Sequence, residues 1–201
     1  SHQFPLGGIL PASRRASLIQ YARKNGVFIV EDDYDSEFRF VGEPIAPLYS
    51  MDPQRVIYVG TFSKTVFPAL RIGFVILPDS LQERWNDLRL HNDIQNPALE
   101  QAVLAEFLHA RAMDRHVRSM KKRYALRRSA LMNALNDAFG SDWSAAGDAA
   151  GLHVAVRFFG RKFDESFCSR CREHGIVIVP VETHCIVKGQ HEDQLVLGYG
   201  H

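Results

Sequence analysis

The chain has 201 residues, of which 46% are hydrophobic and 23% are charged, and its formal net charge is +1. This composition is that of an ordinary globular protein. It excludes an intrinsically disordered chain, which would have few apolar residues and a large net charge. No apolar run approaches the roughly 18 residues that a membrane span requires. The length predicts one large domain, or one and a half.

The first half of the chain alternates between helix and strand. A helix is predicted to begin at Ser13, a good N-cap residue, and to end at Gly26. The apolar run 27–30 then predicts a strand buried on both faces, as in a parallel sheet. After a proline-rich loop, two further strands are predicted over 55–60 and 70–77. This order predicts the α/β class.

The second half is predicted to be helical at first and then α/β again. Helices are predicted over 80–91, 97–109 and 113–138. They are followed by a strand over 151–156, a helix over 163–174, and strands over 176–179 and 195–198. We therefore expect part of a large domain over 1–112, a long connecting helix over 113–139 and a small, truncated C-terminal subdomain over 140–201.

Both ends of the chain suggest a piece of a longer protein. The first residue is Ser1 rather than Met, and no signal peptide follows it. The last segment stops just after a strand-like run. We therefore expect the chain to be a fragment.

A polar cluster follows the second predicted strand, at the position where α/β sheets place ligands. Lys64 lies in it, and a lysine kept uncharged by its surroundings is a nucleophilic amine suited to a Schiff base. Thr61 and Ser63 offer hydroxyls, and Arg71 offers a fork that matches phosphate. Such a set suits an aldehyde that carries a phosphate, and pyridoxal 5'-phosphate (PLP) is that molecule.

The acidic run 31–37 supplies the other half of such a site. PLP acts as an electron sink while its ring nitrogen stays protonated, and a buried carboxylate partner keeps it so. Asp32 and Tyr34 are two residues apart, so both project to one side of an extended chain and Asp33 to the other. We assign Asp32 to the ring nitrogen and Tyr34 to the phenolic oxygen, with Asp33 as the open alternative. The run lacks the glycine of a calcium loop, so we expect no metal.

Three segments carry a family resemblance: SHQFPLG at 1–7, VEDDYDSEF at 30–38 and GTFSKTVFPALR at 60–71. With them the chain resembles the fold type I, aspartate-aminotransferase-like PLP proteins. Within these it is similar to the aminotransferase-like domain of MocR-type regulators, a branch of the GntR transcription factors. The resemblance implies a sheet-based large domain with a smaller α/β subdomain. It also implies Lys64 as the lysine of the internal aldimine, Asp32 at the pyridine nitrogen and Tyr34 at the phenolic oxygen, with Thr61, Ser63 and Arg71 at the phosphate.

Two departures from the aminotransferase pattern favour a regulator. Phe4 precedes the Pro-x-Gly turn where aminotransferases usually carry Asn, and the last predicted strand lacks the arginine that clamps a substrate carboxylate. We therefore expect a homodimeric PLP-dependent regulator that senses an amine or amino acid, with little or no full transamination. The alternative is the C-terminal fragment of a true aminotransferase.

The resemblance also implies parts that these 201 residues lack. In the family, a winged helix-turn-helix DNA-binding domain and the aromatic residue that stacks on the cofactor lie upstream of the position of Ser1. We therefore expect DNA binding through that separate domain, and weak PLP binding by this chain alone.

For two further features we favour a structural role over a binding role. The basic residues of the long helix, from Arg111 to Arg128, are expected to form a solvated face, with a DNA phosphate contact as the alternative. Cys168 and Cys171 form a CxxC, and their helical spacing from Phe163 and Phe167 indicates a buried stripe rather than a zinc site. Three cysteines are too few for a disulfide framework and favour the cytoplasm.

Overall fold

The computed structural model describes residues 3–42, 45–93, 95–147 and 150–200. The chain divides into two units, one made of 10–37 and 43–119 and the other of 2–9, 38–42 and 120–201. Short segments from the first half of the chain thus belong to the second unit, and the division falls inside the long helix. The expected organisation into 1–112, 113–139 and 140–201 stays a prediction.

The first unit is built on a mixed three-stranded sheet in the order β1-β2-β3. Its strands are β1 (Ile29–Asp33), β2 (Val56–Thr61) and β3 (Gly73–Ile76). β1 and β2 are parallel, and β3 runs antiparallel to β2. A parallel pair requires a long crossover, which the segment between β1 and β2 provides. That segment includes a 3₁₀ turn at Leu48–Ser50.

Helix α1 (Ala12–Asn25) packs its apolar face beside this sheet. Ile19 forms a buried cluster with Leu48 and Val56. The predicted end is confirmed, because Gly26 adopts the left-handed conformation with φ 66° and its N–H bonds to the last turn. The predicted start is wrong. Pro11 is the N-cap residue, and Ser13 lies inside the helix.

Helices α2 (Asp79–Asn92) and α3 (Ala98–His109) follow β3, and the long α4 (Ala112–Phe139) follows them. All three match the predicted ranges to within two residues. On α4, Tyr124 and Leu135 are buried. Within the ranges that the structure describes, no helix is long and apolar enough to cross a membrane.

The second unit contains an antiparallel sheet in the order β4-β5-β7-β6. Its strands are β4 (Trp143–Ala146), β5 (His153–Phe158), β6 (Val179–Pro180) and β7 (Gln194–Gly198). The sequence did not predict β4, whose short run lacks a clear apolar alternation. It predicted a strand over 176–179, which shares only residue 179 with β6. Helix α5 (Glu165–Glu173) begins at Asp164, whose carboxylate accepts the Phe167 N–H.

Two side chains have structural roles in this unit. His153 Nε2 donates to the Pro5 carbonyl oxygen at 3.1 Å, which ties the segment 3–9 to β5. Cys168 is buried on α5, and burial raises the pKa of its thiol. The burial of Cys168 agrees with the buried stripe predicted for this helix.

Candidate functional site

The parallel strands β1 and β2 present two chemically different faces. Register partners point to the same face, so Glu31 shares a face with Tyr58, and Asp33 with Gly60. Asp32 and Val59 lie on the opposite face. This arrangement confirms that Asp32 and Asp33 point in opposite directions.

The face of Asp33 is partly buried and internally hydrogen-bonded. Asp33 Oδ2 accepts from Tyr58 Oη at 2.7 Å and from Ser36 Oγ at 2.8 Å. Glu31, which is 4% exposed, accepts the backbone N–H groups of Leu48 and Tyr49. Both carboxylates are thus engaged in holding the sheet and its crossover together.

The face of Asp32 is open. Asp32 itself is exposed, and Val30, on the same face, is 65% exposed. Two expectations are therefore wrong in this chain: β1 is not buried on both faces, and Asp32 is not a buried carboxylate. The reason is that nothing among the described residues covers this side of β1.

The predicted phosphate residues lie at the end of β2, close to Asp32. Thr61 is the last residue of β2 and lies on the face of Asp32, two positions beyond Val59. From the spacing and rise of β-strands, the Cα atoms of Asp32 and Thr61 are about 8 Å apart. Ser63 N–H donates to Thr61 Oγ1 at 3.1 Å, which closes a tight turn.

Lys64 and Arg71 complete this region. Lys64 follows Ser63 in the turn and is exposed, so the expected burial near the lysine is absent from this chain. Arg71 ends a 3₁₀ turn at Pro68–Leu70 and has a left-handed backbone with φ 52°. The next residue, Ile72, accepts the Phe62 N–H through its carbonyl oxygen, so Arg71 lies beside the end of β2.

Tyr34 lies just past the end of β1, so strand alternation does not set its direction. Its hydroxyl is buried. Burial, followed by the charges of Asp35, Asp32 and Asp33, raises the pKa of Tyr34 well above its ordinary value. The phenol therefore keeps its proton and can act as a hydrogen-bond donor. Burial likewise raises the pKa of Glu37, at the end of the same acidic run.

The donor set at this edge fits PLP. The exposed carboxylate on the open face suits the ring nitrogen of that molecule, and the amine in the turn suits its aldehyde. The two hydroxyls of the turn and the guanidinium on the returning segment suit its phosphate. Asp33 lies on the other face, where Tyr58 and Ser36 donate hydrogen bonds to it.

The sequence reasoning missed the partners of Asp33. Tyr58 and Ser36 were not singled out, and neither was the role of Glu31. The alternation along β2 contained part of the signal, because Tyr58 and Gly60 are two residues apart and therefore lie on the same face of the sheet. The register that joins the two strands was not available from the sequence.

The chain is similar to several bacterial transcriptional regulators. The chain is 36% identical over 202 residues to the uncharacterized HTH-type transcriptional regulator YhdI of Bacillus subtilis, covering 100% of this chain and 43% of that protein. It is 33% identical over 201 residues to the probable rhizopine catabolism regulatory protein MocR of Rhizobium meliloti, covering 99% of this chain and 40% of that protein. The chain thus spans less than half the length of these relatives. The resemblance to MocR-type regulators is confirmed.

Solved aminotransferases share the fold. The multiple substrate aminotransferase of Thermococcus profundus superposes with a TM-score of 0.86 at 27% identity, over 99% of this chain and 49% of that one. The kynurenine aminotransferase of Pyrococcus horikoshii gives 0.84 at 25% identity, also over 99% and 49%. The fold is therefore the mixed α/β fold type I of PLP-dependent aminotransferases. The family model for aminotransferase class I and II matches residues 3–190, and the chain belongs to this PLP-dependent family.

Proposed function

We propose that the chain is the PLP-binding, effector-sensing part of a transcriptional regulator. The observation that carries the proposal is the shared face of Asp32 and Thr61, with Ser63 and Lys64 in the turn that follows. The HTH-type regulators among the relatives support a sensing role. DNA binding then belongs to a winged helix-turn-helix domain outside these 201 residues. Such a protein works in the cytoplasm as a homodimer.

Each site residue has one task in this proposal. Asp32 holds a proton at the pyridine nitrogen, and Tyr34 donates to the phenolic oxygen. Thr61, Ser63 and Arg71 hold the phosphate, because hydroxyls and a guanidinium supply donors and positive charge. The Lys64 amine would condense with the aldehyde, and the aldehyde oxygen would leave as water. When bound, PLP supplies an aldehyde and an electron-poor ring that recognise primary amines.

An amine or amino acid is therefore the expected effector. A substrate-clamping arginine is absent from β7, whose sequence is QLVLG. This absence favours sensing over full transamination. The second candidate function, a true aminotransferase, draws support from the solved structures, which are aminotransferases. Conversion of an amino acid to its keto acid in stoichiometric excess over protein would establish that second function.

Borohydride reduction of the chain with PLP, followed by peptide mass mapping, tests the proposal. We expect weak PLP binding by absorbance titration and a cofactor mass on the peptide that contains Lys64. Lys64→Ala should abolish the label, whereas Lys24→Ala, which removes a lysine at the end of α1, should not. Labelling spread evenly over surface lysines would contradict the assignment of Lys64. Tight, stoichiometric binding would contradict the expected weakness.

A further inference from the structure

We propose that Asp33, Tyr58 and Ser36 form a positioning cluster that fixes the direction of the Asp32 carboxylate on the opposite face of the sheet. The inference rests on the proposed PLP-binding function. It assigns a role to three residues that do not themselves touch the cofactor.

The cluster ties the last residue of β1 on two sides. Tyr58 lies within β2, so its 2.7 Å hydrogen bond to Asp33 Oδ2 joins the end of β1 to the neighbouring strand. Ser36 lies in the following turn, and its 2.8 Å bond to the same oxygen joins that turn to the strand end. Successive side chains of a strand point to opposite faces. Holding Asp33 on one face therefore holds Asp32 on the other.

Tyr58 is well suited to this task because its ring is held by packing. The ring centroids of Tyr49 and Phe74 lie 6.4 Å and 6.1 Å from that of Tyr58. Phe74 lies so close to Gly60 that a side chain there would overlap its ring. Burial and the bond to Asp33 raise the pKa of Tyr58 above its ordinary value. The phenol thus remains a donor throughout the neutral range.

The carboxylate of Asp33 has little other support. Its Oδ1 atom is buried and accepts no hydrogen bond within the ranges that the structure describes. Within the described ranges, removal of the Tyr58 hydroxyl would therefore leave Ser36 as the one remaining hydrogen-bond partner of the half-buried Asp33 side chain. Because losing a hydrogen-bond partner is costly, we expect the Asp33 carboxylate then to rotate or to bond water instead. Either change reaches Asp32 through the backbone bond that the two residues share.

The first test uses the chain without PLP. The side-chain carboxyl ¹³C resonance of Asp32 reports its surroundings, and we expect Tyr58→Phe and Ser36→Ala each to shift or broaden it. Tyr49→Phe is the matched control, because it removes a hydroxyl from the same aromatic group and leaves Asp33 untouched. An Asp32 resonance unchanged in both cluster variants, or changed equally in the control, would overturn the inference.

The second test is a double-mutant cycle on PLP affinity. We expect Tyr58→Phe to weaken PLP binding about fivefold, and by less than about twofold when Asp32 is already Asn, because coupled residues are not additive. An equal loss in both backgrounds would show that Tyr58 does not act through Asp32. Absence of PLP binding by the unmodified chain would overturn the proposed function, while the resonance test still decides the role of the cluster.

Discussion

Replacement of Glu31 by Gln should loosen the crossover that connects β1 to β2. Glu31 is 4% exposed, and its two oxygens accept the N–H groups of Leu48 at 2.9 Å and Tyr49 at 3.0 Å. Glutamine keeps one acceptor oxygen but directs an NH₂ group at the other amide. One charge-assisted bond is lost and one buried N–H is left unsatisfied, which costs about 2–3 kcal/mol. For a chain of this size the midpoint of thermal unfolding should fall by roughly 4–12 °C.

Thermal unfolding by circular dichroism measures the global effect, and amide exchange at Leu48 and Tyr49 measures the local one. Glu165→Gln is the matched control, because Glu165 pairs with Arg172 at a largely exposed site. We expect that control to change stability by less than about 0.5 kcal/mol. If Glu31→Gln is as stable as the control and leaves exchange at both amides unchanged, the assigned role of Glu31 is wrong.

Three other outcomes follow from the structure. Gly60→Ala should cost about 1–3 kcal/mol in urea unfolding because the new Cβ would overlap the Phe74 ring, and Phe74→Leu should recover part of that loss. The pKa of Tyr58 is raised, so its contribution to stability should persist below the ordinary tyrosine range and decline as pH rises above it; an ultraviolet titration in which every tyrosine ionises normally would contradict this. The N–H of Gly189 donates to Glu182 and is the main cause of the lowered pKa of that carboxyl. The loop between Glu182 and Gly189 should therefore be stable above the ordinary glutamate range, and its amides should lose protection from exchange as pH falls through the lowered pKa of Glu182. If amide exchange at Gly189 follows the same pH profile in Glu182→Gln, this expectation is wrong.

Local sequence signals were sufficient for most of the fold. Gly26 ended α1 as predicted because it can adopt a left-handed conformation, and the apolar spacing on α4 gave that helix to within one residue at each end. The start of α1 was missed because Pro11 needs no capping side chain. The short β4 has no apolar alternation, and its pairing with β5 comes from sequence-distant contacts.

The candidate site was predictable in its residue types but not in its surroundings. Strand period alone separated Asp32 from Asp33. Their environments, however, depend on the register with β2 and on Ser36, which no local pattern reports. The expected burial of Asp32 assumed that both faces of β1 were covered, and the exposure of Val30 shows that in this chain they are not.

At Arg71, the left-handed backbone favours one residue type for the stability of the turn and the proposed phosphate contact favours another. With φ 52°, this position would be occupied by glycine without strain, whereas a residue with a Cβ atom costs about 1 kcal/mol there. A glycine at position 71 would thus make the turn easier to form and at the same time delete the only guanidinium assigned to the phosphate. Replacement of Arg71 by glycine is therefore expected to raise the stability of the fold and to weaken the retention of an anionic cofactor.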